Sequence, residues 1–97
     1  MTDKTIFTEL SLTTAMQHER ARLRQAARDA GGYEVIGLSV RKIGNTWSVR
    51  FSVFHHSNDN IHESVSVKAS SQGRAFQAAH DALPTACEQV ASELEAA

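Results

Sequence analysis

Three consecutive stretches of the chain alternate apolar and polar residues one for one, and this pattern constrains the fold more than any other feature. Over 33–43, Ile36, Leu38 and Val40 alternate with Gly37, Ser39 and Arg41. Over 47–56, Trp47, Val49, Phe51 and Val53 alternate with Ser48, Arg50, Ser52 and Phe54. Over 61–69, Val65, Val67 and Ala69 oppose Ser64, Ser66 and Lys68. A period of two is that of a strand with one face buried and one face wet. Gly44-Asn45 suits a two-residue hairpin turn, because both residues tolerate positive φ, and Ser57-Asn58-Asp59-Asn60 supplies the second turn. Two successive hairpins make a three-stranded antiparallel sheet of order 1-2-3, whose apolar face must be covered.

The cover comes from both ends of the chain. Thr14-Ala15-Met16-Gln17 fits a capping box and places a helix at 13–30, with Leu12, Met16, Leu23, Ala27 and Ala30 as a thin apolar stripe. Gly31-Gly32 ends it, glycine being the residue that takes a left-handed C-cap without strain. Residues 1–10 show little periodicity and are expected to be a flexible arm. From Ser71 to about Ala96, Ala75, Phe76, Ala79, Leu83, Ala86, Cys87, Val90 and Leu94 recur at helical spacing. Pro84 either kinks this helix or splits it, with an end near Ala82 and a restart. The expected architecture is α+β, in the order α-β-β-β-α, with both helices on one face and residues 11–97 forming a single domain. A chain of 97 residues allows one small core. No stretch approaches the ~18 apolar residues of a membrane span, Met-Thr-Asp-Lys lacks a signal-peptide pattern, and a cytoplasmic location with no membrane partner is expected.

Apolar matching sets a register. A Gly44-Asn45 turn pairs Ile43 with Thr46, hence Val40 with Val49, Leu38 with Phe51 and Ile36 with Val53. In the second hairpin, Val53 meets Val65, Phe51 meets Val67, and His56 falls opposite His62. The core is then expected to hold Ile36, Leu38, Val40, Val49, Phe51, Val53, Val65, Val67, Phe76, Ala79, Leu83, Val90, Leu23 and Met16. The opposite face reads Ser39-Arg50-Lys68, Gly37-Ser52-Ser66, Val35-Phe54-Ser64 and Tyr33-His56-His62. Its small hydroxyls leave a shallow surface, and Tyr33, Arg50, Phe54, His56, His62 and Lys68 are the candidate interaction residues. The alternatives are a plain solvated face and a partner or homodimer face. A three-stranded sheet has two open edges, and residues 85–95 extend beyond what a minimal unit needs, so Cys87, Val90 and Leu94 are candidate dimer or partner contacts.

No catalytic constellation assembles. His55 and His56 point to opposite faces in this register, and two imidazoles fall short of the three or four converging ligands of a zinc site. Cys87 lies on the apolar stripe as a small hydrophobe. No catalytic residue, metal or cofactor is expected.

The charge, −1 overall, is uneven. Residues 1–69 are mildly basic, whereas 70–97 carry Arg74 against Asp81, Glu88, Glu93 and Glu95. Arg20, Arg24 and Arg28 line one helix face as a candidate basic stripe. General nucleic-acid binders carry a larger basic excess.

The order α-β-β-β-α over residues 12–83, with Ser71-Gln72-Gly73-Arg74-Ala75-Phe76-Gln77-Ala78-Ala79 at the start of the last helix, resembles the double-stranded RNA-binding domain. The family's lysine positions fall here on Gln72, Gly73 and Phe76, and the Gly44-Asn45 loop is too short for its minor-groove segment. The resemblance implies a shared topology without the phosphate contacts of RNA binding. In size and kind the chain is also similar to small phage or mobile-element proteins that block a host complex. The expected function is therefore a non-catalytic binding protein acting on another macromolecular complex as inhibitor, regulator or adaptor. The alternative is nucleic-acid binding through Arg20, Arg24, Arg28, Arg50 and Lys68.

Overall fold

A computed structural model describes the backbone of residues 2–97, and the side chains of Thr14 and of residues 16–97. Its elements are α1 (Thr2–Asp29), β1 (Tyr33–Ile43), β2 (Thr46–His55), β3 (Asn58–Ala69) and α2 (Gln72–Ala96). The strands form one antiparallel sheet of order β1-β2-β3. Both helices lie on one face of it, α1 against β1 and α2 against β2 and β3. This is the expected α+β architecture.

The first helix starts earlier than the capping box suggested. It runs from Thr2, so the backbone of residues 2–10 is helical. Nothing between 2 and 29 breaks a helix, since the segment has neither glycine nor proline. Its end is as read: the amides of Gly31 and Gly32 both donate to the Arg28 carbonyl at 3.1 Å, with φ of 130° and 87°. At the other end of the sheet, the Ser71 hydroxyl caps α2 by accepting the Arg74 amide. That helix continues through Pro84 without a break.

The register departs from apolar matching at two places. The β1–β2 hairpin pairs Ile43 with Thr46 and Val40 with Val49, as expected. The pairing then slips between Ile36 and Ser39. Gly37, with φ at 68°, forms a bulge there, so Gly37 and Leu38 together oppose Phe51. Beyond the bulge the faces exchange. Val35, not Ile36, pairs with Val53 and is buried, while Ile36 pairs with Ser52 and is 40% exposed. Tyr33 accordingly belongs to the helix side, half-buried against the core. In the second hairpin, Val49 pairs with Val67 and Phe51 with Val65, two residues away from the expected partners. A slip of two keeps every side chain on its face, so alternation alone cannot detect it. The turn is His56-Ser57, and β3 begins at Asn58.

The core comprises Leu23 and Ala27 of α1, Val35, Leu38, Val49, Phe51, Val53 and Val65 of the sheet, and Ala75, Phe76, Ala79, Leu83, Ala86, Cys87 and Val90 of α2. Val40, Val67 and Met16 pack partly against it, and of the residues expected there only Ile36 lies outside. No helix among the described residues is long and apolar enough to cross a membrane.

Candidate functional site

The corrected register redraws the helix-free face. Its rows are Ile43–Thr46, Arg41–Ser48–Lys68, Ser39–Arg50–Ser66, Ile36–Ser52–Ser64 and Glu34–Phe54. Arg41 and Lys68 flank Ser48 on the two edge strands, and Arg50 stands one row along on the central strand. The three cations line one shallow hollow with Ile43, Thr46, Ser48 and Ser66. A second hollow continues from Arg50 over Gly37, Ser39, Ser52 and Ser64. Arg41, Arg50 and Lys68 are exposed. Among the described residues the ion pairs are those of Glu19, and none involves these cations. Ile43 is 68% exposed at the end of this surface.

The remaining candidates divide between this face and other places. Phe54 stays on the helix-free side, where the His62 ring stacks on it at 5.2 Å and 16°. His62 donates from Nε2 to the Asp59 carbonyl. His56 does not face His62. It sits in the β2–β3 turn, and its amide donates to the Gly32 carbonyl at 3.1 Å. His55 joins the same junction. Its Nδ1 accepts the Ser57 amide at 3.2 Å and lies 2.6 Å from the Ser57 hydroxyl, so the ring proton is on Nε2, which donates to the Gly31 carbonyl at 3.0 Å. Tyr33 meets the His55 ring edge-on at 5.0 Å. Tyr33, His55 and His56 therefore tie the end of α1 to the β2–β3 turn and present no common surface with Arg50 and Lys68. No three His, Cys, Asp or Glu side chains converge among the described residues.

The candidate contacts on α2 are also corrected. Cys87 and Val90 are buried in this chain's own core and present no surface to a partner, while Leu94 packs only partly against that core. They are needed to cover the sheet. Burial first, and the charge of Glu88 second, push the Cys87 thiol up, away from nucleophilic thiolate. Arg20, Arg24 and Arg28 are exposed on α1, in the helical layer and not on the face that holds Arg50 and Lys68.

Sequence reasoning missed one polar pair and one cation. Glu19 is buried between the helices, 2.7 Å from His80 Nε2 and 2.8 Å from the Arg22 guanidinium. Its signal was present, since Glu19 lies on the α1 stripe between Met16 and Leu23, and His80 lies beside Ala79 and Leu83 on the stripe of α2. Arg41 shares the row of Lys68 only in the true register.

Comparison of the chain with protein-family models, with curated proteins and with solved structures finds no match.

Proposed function

We propose that the chain is a non-catalytic binding protein that docks its helix-free sheet face on another macromolecular complex, acting there as an inhibitor, regulator or adaptor. The observation that carries this reading is the composition of that face: Arg41, Arg50 and Lys68 without ion-pair partners among the described residues, set among serines, with Ile36 and Ile43 exposed beside them. Three like charges held together repel one another, and a complementary partner relieves that repulsion. Exposed isoleucines beside arginine suit a protein surface, where arginine anchors are enriched.

The second reading is nucleic-acid binding, and Arg20, Arg24 and Arg28 favour it. Those arginines lie in the helical layer, apart from the sheet cations, so no single basic surface gathers both sets. The net charge of −1 also lacks the excess such binders carry. The test is affinity capture from a lysate of the source organism, with and without nuclease. A stoichiometric protein partner should survive nuclease, be lost with the double variant Arg50→Glu and Lys68→Glu, and be kept with Arg24→Gln. Recovery of nucleic acid alone, falling steeply with salt, would overturn the reading.

A further inference from the structure

The hollow formed by Arg41, Arg50 and Lys68 has more definition than a general docking surface requires. Arg41 and Lys68 share one row on either side of Ser48, so their backbones stand about 10 Å apart across two strand spacings. Arg50 is two residues from Ser48 on the central strand, about 7 Å along it. The three side chains line one hollow whose floor is hydroxyl-bearing, from Thr46, Ser48 and Ser66. Cations on three sides and hydroxyl donors beneath are the surroundings of a multiply charged oxyanion, and arginine forks match its oxygens two at a time.

We infer that this hollow is a cradle for one phosphate group carried on a protein segment, a phosphoserine or phosphothreonine of the partner. The inference rests on the docking reading above and names the chemistry of its partner. A phosphorylated side chain brings a charge of about −1.5 to −2, which balances three cations better than one carboxylate does. Two observations favour a protein source over a nucleic-acid backbone. The cations end after two rows: the rows beyond hold Ile36, Ser52, Ser64, Glu34 and Phe54, so the face offers a single anion position and not a track. Among the described residues, the aromatic rings that stack unpaired bases are also missing beside the cradle. Phe54 is at the far end against His62, and Trp47 packs on the helix side, with the Lys42 ammonium over its ring. Next to the cradle stands exposed Ile43, suited to an apolar residue flanking the phosphate.

The test titrates isotope-labelled full-length protein with a pentapeptide carrying phosphoserine between two isoleucines, with its unphosphorylated twin, and with a short single-stranded oligonucleotide. Amide shifts centred on Ser48, Arg50 and Ser66 are expected with the phosphopeptide, which should bind about tenfold or more tightly than its twin. Arg50→Gln and Lys68→Gln should each remove most of that difference. Arg24→Gln should leave it intact, and the unperturbed remainder of each spectrum reports that the variant is folded. Equal binding of the two peptides, tighter binding of the oligonucleotide, or insensitivity to Arg50→Gln would overturn the inference. Phosphatase treatment of the captured complex separates it from the docking reading. A partner released by phosphatase supports both. A partner held by the same face after phosphatase overturns the phosphate cradle and leaves the docking reading standing.

Discussion

The two faces of the sheet share one backbone and obey different rules. On the covered face, Val35, Leu38, Val49, Phe51, Val53 and Val65 are packed under two helices, and almost any apolar side chain of suitable size would satisfy them. On the bare face the same strands carry Ser39, Ser48, Ser52, Ser64 and Ser66 around Arg41, Arg50 and Lys68. Solvation alone would be satisfied by mixed polar groups, as on the exposed side of α1, where the Gln25 amide donates to Asp29. Acids on the bare face, Glu34 among them, stand at the end away from the cations. Packing thus explains one face, while the other keeps uncompensated charge that a soluble sheet does not require.

The sharpest way to break this contrast is to truncate one residue on each face. Phe51 is 3% exposed at the centre of the sheet. Phe51→Ala should lose about 3–5 kcal/mol, a large part of what a domain of this size has. Ser52→Ala, its neighbour on the bare face, should stay within about 0.5 kcal/mol of wild type. Urea unfolding followed by circular dichroism measures both. Similar losses for the two would mean that the bare face is itself packed against something.

A smaller effect tests whether the covered side depends on polar as well as apolar burial. Glu19 accepts from His80 across the helix layer and from Arg22 along α1. Glu19→Ala should lose about 1–3 kcal/mol, because it leaves the buried edge of His80 without its partner. A double-mutant cycle with His80→Ala should return a coupling of about 0.5–3 kcal/mol. Additive single effects would reduce the pair to two independent surface contacts.

How much was legible follows from the same contrast. Alternation located three strands, and the 3.6-residue stripe located α2, because burial imposes those periods wherever water is excluded. Alternation failed where the backbone departed from it. At Gly37 the bulge inserts one residue, and Tyr33 and Val35 change places with Glu34 and Ile36. The glycine at an apolar–polar alternation was the available clue. The β2–β3 register failed for a different reason: a two-residue slip is silent in hydrophobic pattern, and only the position of the turn decides it. Arg50 and Lys68 were found on the bare face because their parity is independent of that slip, while the row that unites Lys68 with Arg41 is not. Tyr33 and His56 read as part of a possible surface, and in the fold they join His55 in holding the end of α1 to a turn, a long-range role that no local pattern encodes.

The bulge itself can be tested next. A Cβ at Gly37 would meet nothing within 4 Å, so the whole penalty of substitution is conformational, at φ of 68°. Gly37→Val should lose about 1–2 kcal/mol or more, β-branching making the left-handed region hardest to reach. Gly37→Asn should lose less, since asparagine visits that region. If both variants matched wild type, the strand could run without its bulge. Ile36 would then be the inward residue, and the two faces would be drawn as simple alternation has them.

The smallest effect lies at the rim where the covered face meets solvent. Glu63 pairs with Val53 and stands next to Glu93 of α2, so a carboxyl, not an aliphatic side chain, ends the apolar rows. A hydrogen bond with Glu93, then burial, then the Glu93 charge raise the Glu63 pKa above the usual value of 4.5. The sign follows from linkage: a carboxyl that holds its proton more tightly in the folded state contributes stability that is full below its unfolded pKa. That contribution is lost as pH rises through the folded value. Above that value the carboxyl of Glu63 loses its proton beside Glu93, and the like charge opposes the packing of α2 on β3. Glu63→Gln replaces one charge with an amide that can donate to Glu93. The variant should therefore melt at or slightly above the wild-type temperature at neutral pH. Its advantage should shrink as the pH is lowered toward about 4, where the native pair regains its shared proton. Thermal unfolding of both proteins across that range reads the difference directly. A variant less stable at neutral pH, with a profile parallel to wild type, would show that Glu63 is held by solvent and not by Glu93, and that the covered face ends one row earlier.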